Sequence, residues 1–167
     1  MYIMQNQCRD IRSPSVLQLR GGNVDAVESY QEGLVKAAIA GNVLETENFL
    51  KLGACPNLPD KSGMPAFLYA ALHGHVDILE KLSESGGDVL TKSGDGSTAL
   101  HLAAYYGHDD VVRYLMKTSG GGKLDPNVKD LDGSTPLHNA AYKGQCACAF
   151  TLLDHGANVD ASQVQSD

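Results

Sequence analysis

The chain has 167 residues, one domain's worth, with Lys+Arg 13 against Asp+Glu 20 and a formal net charge of -7. Nucleic acid and anionic membrane surfaces are bound mainly through clustered Lys and Arg, so this balance argues against both as partners. No apolar run approaches the roughly 18 to 20 residues of a membrane span, and Met1 to Asp10 lacks the sustained apolar stretch of a signal peptide.

The first 29 residues stand outside any pattern. Ser13-Pro14-Ser15 and Gly21-Gly22 break the segment, and Val16, Leu17 and Leu19 are its apolar cluster, so a terminal arm over residues 1–29 is expected. From residue 30 onward one unit recurs. Its Ala pairs are Ala37-Ala38, Ala70-Ala71, Ala103-Ala104 and Ala140-Ala141, a step of about 33 residues that stretches to about 37 at the end. Gly41, Gly74, Gly107 and Gly144 follow in register, and Leu34, Phe67, Leu100 and Leu137 precede in register. The long step coincides with Gly120-Gly121-Gly122-Lys123, residues that lengthen a loop. The repeats are placed at about 30–62, 63–95, 96–132 and 133–162, with a polar tail over 163–167.

In the first unit, Ser29 and Glu32 have capping-box spacing ahead of Leu34 and Val35, which predicts a helix start there. Glu45, Thr46 and Asn48 stand where the second unit has Ile78, Leu79 and Lys81; polar replacement suits the outer side of a terminal repeat. In the third unit Thr98 is placed to cap a helix, and Gly107 to end it in the left-handed conformation. Asp109 and Asp110 then open a second helix whose buried stripe is Val111, Val112, Leu115 and Met116. The fourth starts with Thr135 at the cap and Pro136 at the first helical position. Its second helix, Gln145 to Leu153, carries no charge, and Phe150 stands where Glu80 and Arg113 stand in earlier units. A carboxy-terminal cap should be polar there. Either the chain continues or this end meets something, and end-to-end self-association through Phe150 is one expectation.

Asp95 to His108 reads D-G-S-T-A-L-H-L-A-A-Y-Y-G-H, and Asp132 to Gly144 reads D-G-S-T-P-L-H-N-A-A-Y-K-G. With the 33-residue period, these motifs resemble the ankyrin repeat family over roughly residues 30 to 161. The resemblance implies an all-α repeat fold, an α-solenoid of stacked helix-turn-helix units joined by β-hairpin-like loops. It also implies that the cap Thr bonds the imidazole of the His three residues on, pairing Thr98 with His101 and Thr135 with His138. The second unit has Pro65 and Leu68 at those positions, so both partners are replaced together, which is far less costly than losing one. The third and fourth units, holding both pairs, are expected to form the stable centre.

Catalytic chemistry finds little support. Of six histidines, His101 and His138 are the motif's bonding imidazoles, His75 and His108 its Gly-His residues, and His155 sits in an L-L-x-H-G-A context. His73 alone lacks such an assignment. Cys146 and Cys148, two apart on a helix, diverge by about 200° and do not suit one tetrahedral metal. Ser119 to Lys123 lacks the spacing of a phosphate loop. Four cysteines without regular spacing predict free thiols in a reducing compartment, so cytosol or nucleus is expected. No enzyme, cofactor or metal is expected.

The remaining chemistry is on the surface. Ankyrin arrays bind partners through hairpin tips and the exposed side of the inner helices, a concave groove. The resemblance maps that groove onto Lys61, Met64, Leu72 and His73, then Asp95, Ser97, Tyr105 and Tyr106, then Leu131, Asp132, Ser134, Tyr142 and Lys143. The expected function is a non-enzymatic protein-binding adaptor or inhibitor whose partner presents basic and apolar contacts. Two alternatives stay open. The family includes targets of asparaginyl hydroxylation at the loop Asn, a position held here by Asn57, Asn127 and Asn158. The chain could also be a fragment of a larger ankyrin-containing enzyme or channel.

Overall fold

Residues 24–118 and 124–160 are described in a computed structural model of the chain. Among them are eight helices: α1 Val24–Ala40, α2 Val43–Lys51, α3 Ala66–His73, α4 Val76–Glu84, α5 Ala99–Tyr106, α6 Asp109–Thr118, α7 Pro136–Lys143 and α8 Cys146–Asp154. Each odd-numbered helix packs on the even one that follows it. Helices α1, α3, α5 and α7 form one row, and α2, α4, α6 and α8 form a second row behind it. This is the all-α repeat architecture that the family resemblance implies. Between pairs the chain makes narrow turns closed by isolated antiparallel bridges, Pro59 with Pro65 and Lys92 with Thr98, which supply the hairpin character of the tips.

The inner helices are short because a cap starts each and a glycine stops it. Pro65, Thr98 and Thr135 hold extended backbone at the N-caps, and Gly74, Gly107 and Gly144 hold the left-handed conformation at the C-caps with φ of 80°, 83° and 68°. The core runs the length of the stack without a break. Leu34, Phe67 and Leu100 are fully buried, as are the Ala pairs of the first three repeats, whose small side chains let neighbouring helices approach closely. Behind them Ile78, Leu79, Leu82, Val111, Val112, Leu115 and Leu152 are fully buried too. Gly33 lies against the ring of Phe49, where a Cβ would clash, and so sets how closely α1 and α2 pack.

Three expectations change. Helix α1 begins at Val24, so Ser29 and Glu32 lie inside it rather than at its start. No helix breaker stands between Val24 and Gly33, and the run D-A-V-E-S-Y-Q-E favours helix, so the chain simply continues upstream. Residues 24–29 are therefore helical, and the rest of the expected arm lies outside the described residues, as do the Gly120–Lys123 insertion and the 163–167 tail. Second, Thr46 is fully buried rather than on the outer side, its hydroxyl donating to the Asn42 carbonyl at 2.9 Å, while Glu45 and Asn48 are exposed. Third, Cys55 is disulfide-bonded, whereas Cys146 and Cys148 are free. Spacing along the chain carries no information about cysteines that only the fold brings together.

Candidate protein-binding surface

The hairpin tips are built by one carboxylate each. Asp60 accepts from the Ser62 and Met64 amides at 2.8 and 3.1 Å, and Asp130 accepts from Asp132 and Ser134 at 3.0 and 2.8 Å. In the third repeat Ser93 takes the place of this aspartate, and Asp95 accepts from the hydroxyl of Ser93 and from both the amide and hydroxyl of Ser97. The Ser93 bond leads the effects that hold the Asp95 carboxyl below its ordinary value.

Asp95 is engaged within its own tip yet stays exposed, whereas Ser97 is buried and cannot reach a partner. Ser134 is half-buried, its carbonyl accepting from His101 Nε2 at 3.0 Å. Met64 is half-buried against the core, and Leu72 is half-buried with its carbonyl accepting from His108 Nε2 at 2.9 Å. Ser97, Ser134, Met64 and Leu72 support the fold.

The others remain at the surface. Lys61 is exposed and pairs with Glu32 at 3.2 Å. His73 is exposed, its ring stacked on His75 with centroids 6.1 Å apart; burial first, then the neighbouring His75 and His108, lower its pKa. Leu131 and Asp132 are exposed at the last tip, Leu131 at 76%.

The tyrosines of α5 and α7 come together. Tyr105 meets Tyr106 edge-on with centroids 5.1 Å apart and stacks on Tyr142 at 6.4 Å. Lys143 places its ammonium 4.5 Å from the Tyr105 centroid and 5.6 Å from that of Tyr142. The Tyr105 side chain, and then the field of all three phenols, raises the Lys143 pKa. Tyr106 and Tyr142 are 50% and 80% exposed, so the core does not account for either ring. Sequence spacing put these residues on neighbouring helices. That Lys143 sits over the rings is a fact of side-chain packing that spacing does not carry.

The interior polar groups follow the expected pairing. His101 Nδ1 lies 2.9 Å from the Thr98 hydroxyl, and His138 Nδ1 lies 3.0 Å from that of Thr135. Because the Thr98 and Thr135 amides also donate to Nδ1, the proton sits on Nε2 in both rings. Asn57 and Asn127 each bridge to the next repeat: Asn57 donates to Gly86 O and accepts from Asp88 N, and Asn127 does the same with Gly156 and Asn158. The amide of Asn158 makes no such bridge among the described residues; its side-chain oxygen accepts from Asp160 N. Cys146 is exposed and Cys148 buried, on diverging sides of α8. Among the described residues no group of three His, Cys, Asp or Glu could hold a metal, and no helix is long and apolar enough to cross a membrane.

Family models for ankyrin repeats match residues 34–83 and 85–163. The chain is an ankyrin repeat protein. Among curated proteins it is similar to the ankyrin repeat protein nuc-2 of Neurospora crassa, 32% identical over 88 residues. A second relative is the inactive serine/threonine-protein kinase TEX14 of Mus musculus, 34% identical over 71 residues. These matches take in 50% and 42% of this chain but only 8% and 5% of those proteins, so the chain spans less than a tenth of the relatives it matches. The ankyrin stack is a protein-protein interaction module, and the tyrosine cluster lies on its inner row of helices.

Proposed function

We propose that this ankyrin stack is a non-enzymatic adaptor or inhibitor that holds a partner protein in the groove between its hairpin tips and inner helices. The anchors are Tyr106 and Tyr142 with Tyr105 behind them, and Leu131 and Asp132 form the adjoining tip. One observation carries the reading: three tyrosines, two of them largely exposed, cluster on adjacent inner helices where packing alone would leave small or polar residues. Tyrosine offers large contact area with few rotors to freeze, and its hydroxyl stays hydrogen-bonded when the ring is partly covered.

The test is affinity capture of the partner, followed by binding measurements on variants. Truncating a central hot spot costs at least about 2 kcal/mol, roughly thirtyfold in affinity. Tyr106→Ala and Tyr142→Ala are each expected to weaken the complex by about that factor while leaving melting nearly unchanged. Glu80→Ala and Arg113→Ala, on the outer helices, are expected to leave binding intact. The reverse pattern would move the site to the other face of the stack.

A further inference from the structure

Helices α5 and α7 lie side by side, and they end at Tyr106 and Lys143. A helix C-terminus carries partial negative charge on its last carbonyls, so two of them together favour a cation. In the first two repeats this end is closed by the protein itself. The carbonyls of Ile39 and Leu72 accept from His75 and His108 Nε2 at 3.1 and 2.9 Å. The corresponding carbonyls in the third and fourth repeats belong to Tyr105 and Tyr142. Gln145 replaces the histidine that would reach Tyr105, and no donor among the described residues reaches either carbonyl.

The rings of the same two residues stack on one another, with centroids 6.4 Å apart and an interplanar angle of 24°. An aromatic face attracts a cation through its quadrupole. The resident cation is Lys143, whose ammonium is over both rings and has no carboxylate within salt-bridge distance among the described residues. Rings, helix ends and open carbonyls thus point to one ligand chemistry, and the chain meets it with a long, exposed side chain that can swing away.

We propose that the Tyr105–Tyr142 ring pair is a subsite for an arginine side chain of the partner protein, and that Lys143 is its internal occupant in the free chain. The proposal rests on the groove reading above and names the chemistry that the groove selects. Arginine fits better than the resident lysine. Its planar guanidinium lies flat on a ring and keeps its five N–H donors free in the ring plane, whereas an ammonium is a compact point charge. The surroundings favour a basic partner as well, since Asp132 is exposed at the adjoining tip and the whole chain carries -7. Displacement by Lys143 leaving makes this residue a competitor, so removing its charge should strengthen partner binding. An acidic partner would instead pair with Lys143, and removing the charge would weaken binding; the two readings predict opposite signs.

The probe is N-acetyl-arginine N-methylamide, titrated into the full chain and followed by NMR at Tyr105, Tyr142 and Lys143, with the neutral citrulline counterpart as control. The arginine probe is expected to shift all three residues in a saturable manner, and the citrulline probe to leave them in place. Lys143→Met keeps the apolar stem and removes the charge; it should tighten the arginine probe about two- to fivefold, the range of an exposed cation–π contact. Tyr142→Leu should abolish the response. Both positions are exposed, so a melting curve confirms that each variant is folded. Equal binding of both probes would overturn the subsite, and so would Lys143→Met having no effect or weakening the arginine probe. The groove reading fails separately, through a captured partner indifferent to Tyr106→Ala; a partner lost in that variant, beside a silent arginine titration, sinks only the subsite.

Discussion

His101 is fully buried and uses both ring nitrogens: Nδ1 takes the amide and hydroxyl of Thr98, and Nε2 donates to the Ser134 carbonyl of the next repeat. Replacing it with leucine leaves Thr98 unsatisfied in the core, which costs about 1 to 3 kcal/mol. Thr98→Pro removes both stranded groups at once and copies the second repeat, so the double variant should cost less than the sum of the two single changes in urea unfolding. Strict additivity would show that the two side chains do not interact. His138→Leu should cost less than His101→Leu, because that ring is only half-buried and its Nε2 meets no acceptor among the described residues. Burial, the largest influence on His101, lowers its pKa from 6.5. The unfolded chain then binds the proton first as pH falls below about 6.5, so stability is full above that pH and declines below it. Urea midpoints measured from neutral to mildly acidic pH should fall in the wild type and fall less in the Thr98→Pro, His101→Leu background. Burial also pushes the Cys148 thiol up to about 11. Iodoacetamide on the native protein should therefore label Cys146 and spare Cys148 in peptide mapping.

At the scale of the helix pair, glycine C-caps also serve the joints between repeats. Gly74 holds φ 80°, and a Cβ there would meet the ring of His108, which is anchored on Leu72 O. Gly63 has nearly the same φ, 79°, but nothing near its Cβ direction. Gly63→Ala should cost about 1 to 2 kcal/mol for the left-handed backbone alone, and Gly74→Ala measurably more, because it also wedges the second and third repeats apart. Equal costs would mean that the His108 joint yields freely. Protection of amide hydrogens should follow the same geometry. Sequence motifs favoured the third and fourth repeats as the stable centre, but Ala141 is exposed and Leu137 half-buried, whereas Phe67, Ala70, Ala71, Leu100, Ala103 and Ala104 are fully buried. Slowest exchange is therefore expected in α3 and α5, with α7 faster. A motif match reports how one repeat is built, while protection depends on having a neighbour on each side.

At the scale of the whole molecule, the fourth repeat carries several exposed apolar side chains. The outer side of the fourth repeat exposes Phe150 at 68% and Val159 at 73%, and Leu137, Ala141, Leu153 and Val159 line a shallow apolar pocket there. Gly144 has open space beside it, although Gly41, Gly74 and Gly107 each press on a side chain of the following repeat. An apolar end of this kind should associate at high protein concentration, and Phe150→Glu should restore the monomer in sedimentation. A wild type that stays monomeric at millimolar concentration would remove the end-to-end expectation.

The repeat period, the caps and the Ala pairs were legible in the sequence because each is a local requirement: a left-handed turn needs Gly, a close helix approach needs Ala, a buried Thr needs its His. So was the set of inner-helix positions, since register along a regular stack follows from counting. The sequence did not determine which of those positions remain available. Ser97 looks like a tip contact until its amide and hydroxyl close on Asp95, and Thr46 looks external until its hydroxyl closes on Asn42. Nor could it show the disulfide at Cys55 or Lys143 over two tyrosine rings. Those depend on which side chains meet in space, and such meetings are decided by three-dimensional packing rather than by residue type and spacing.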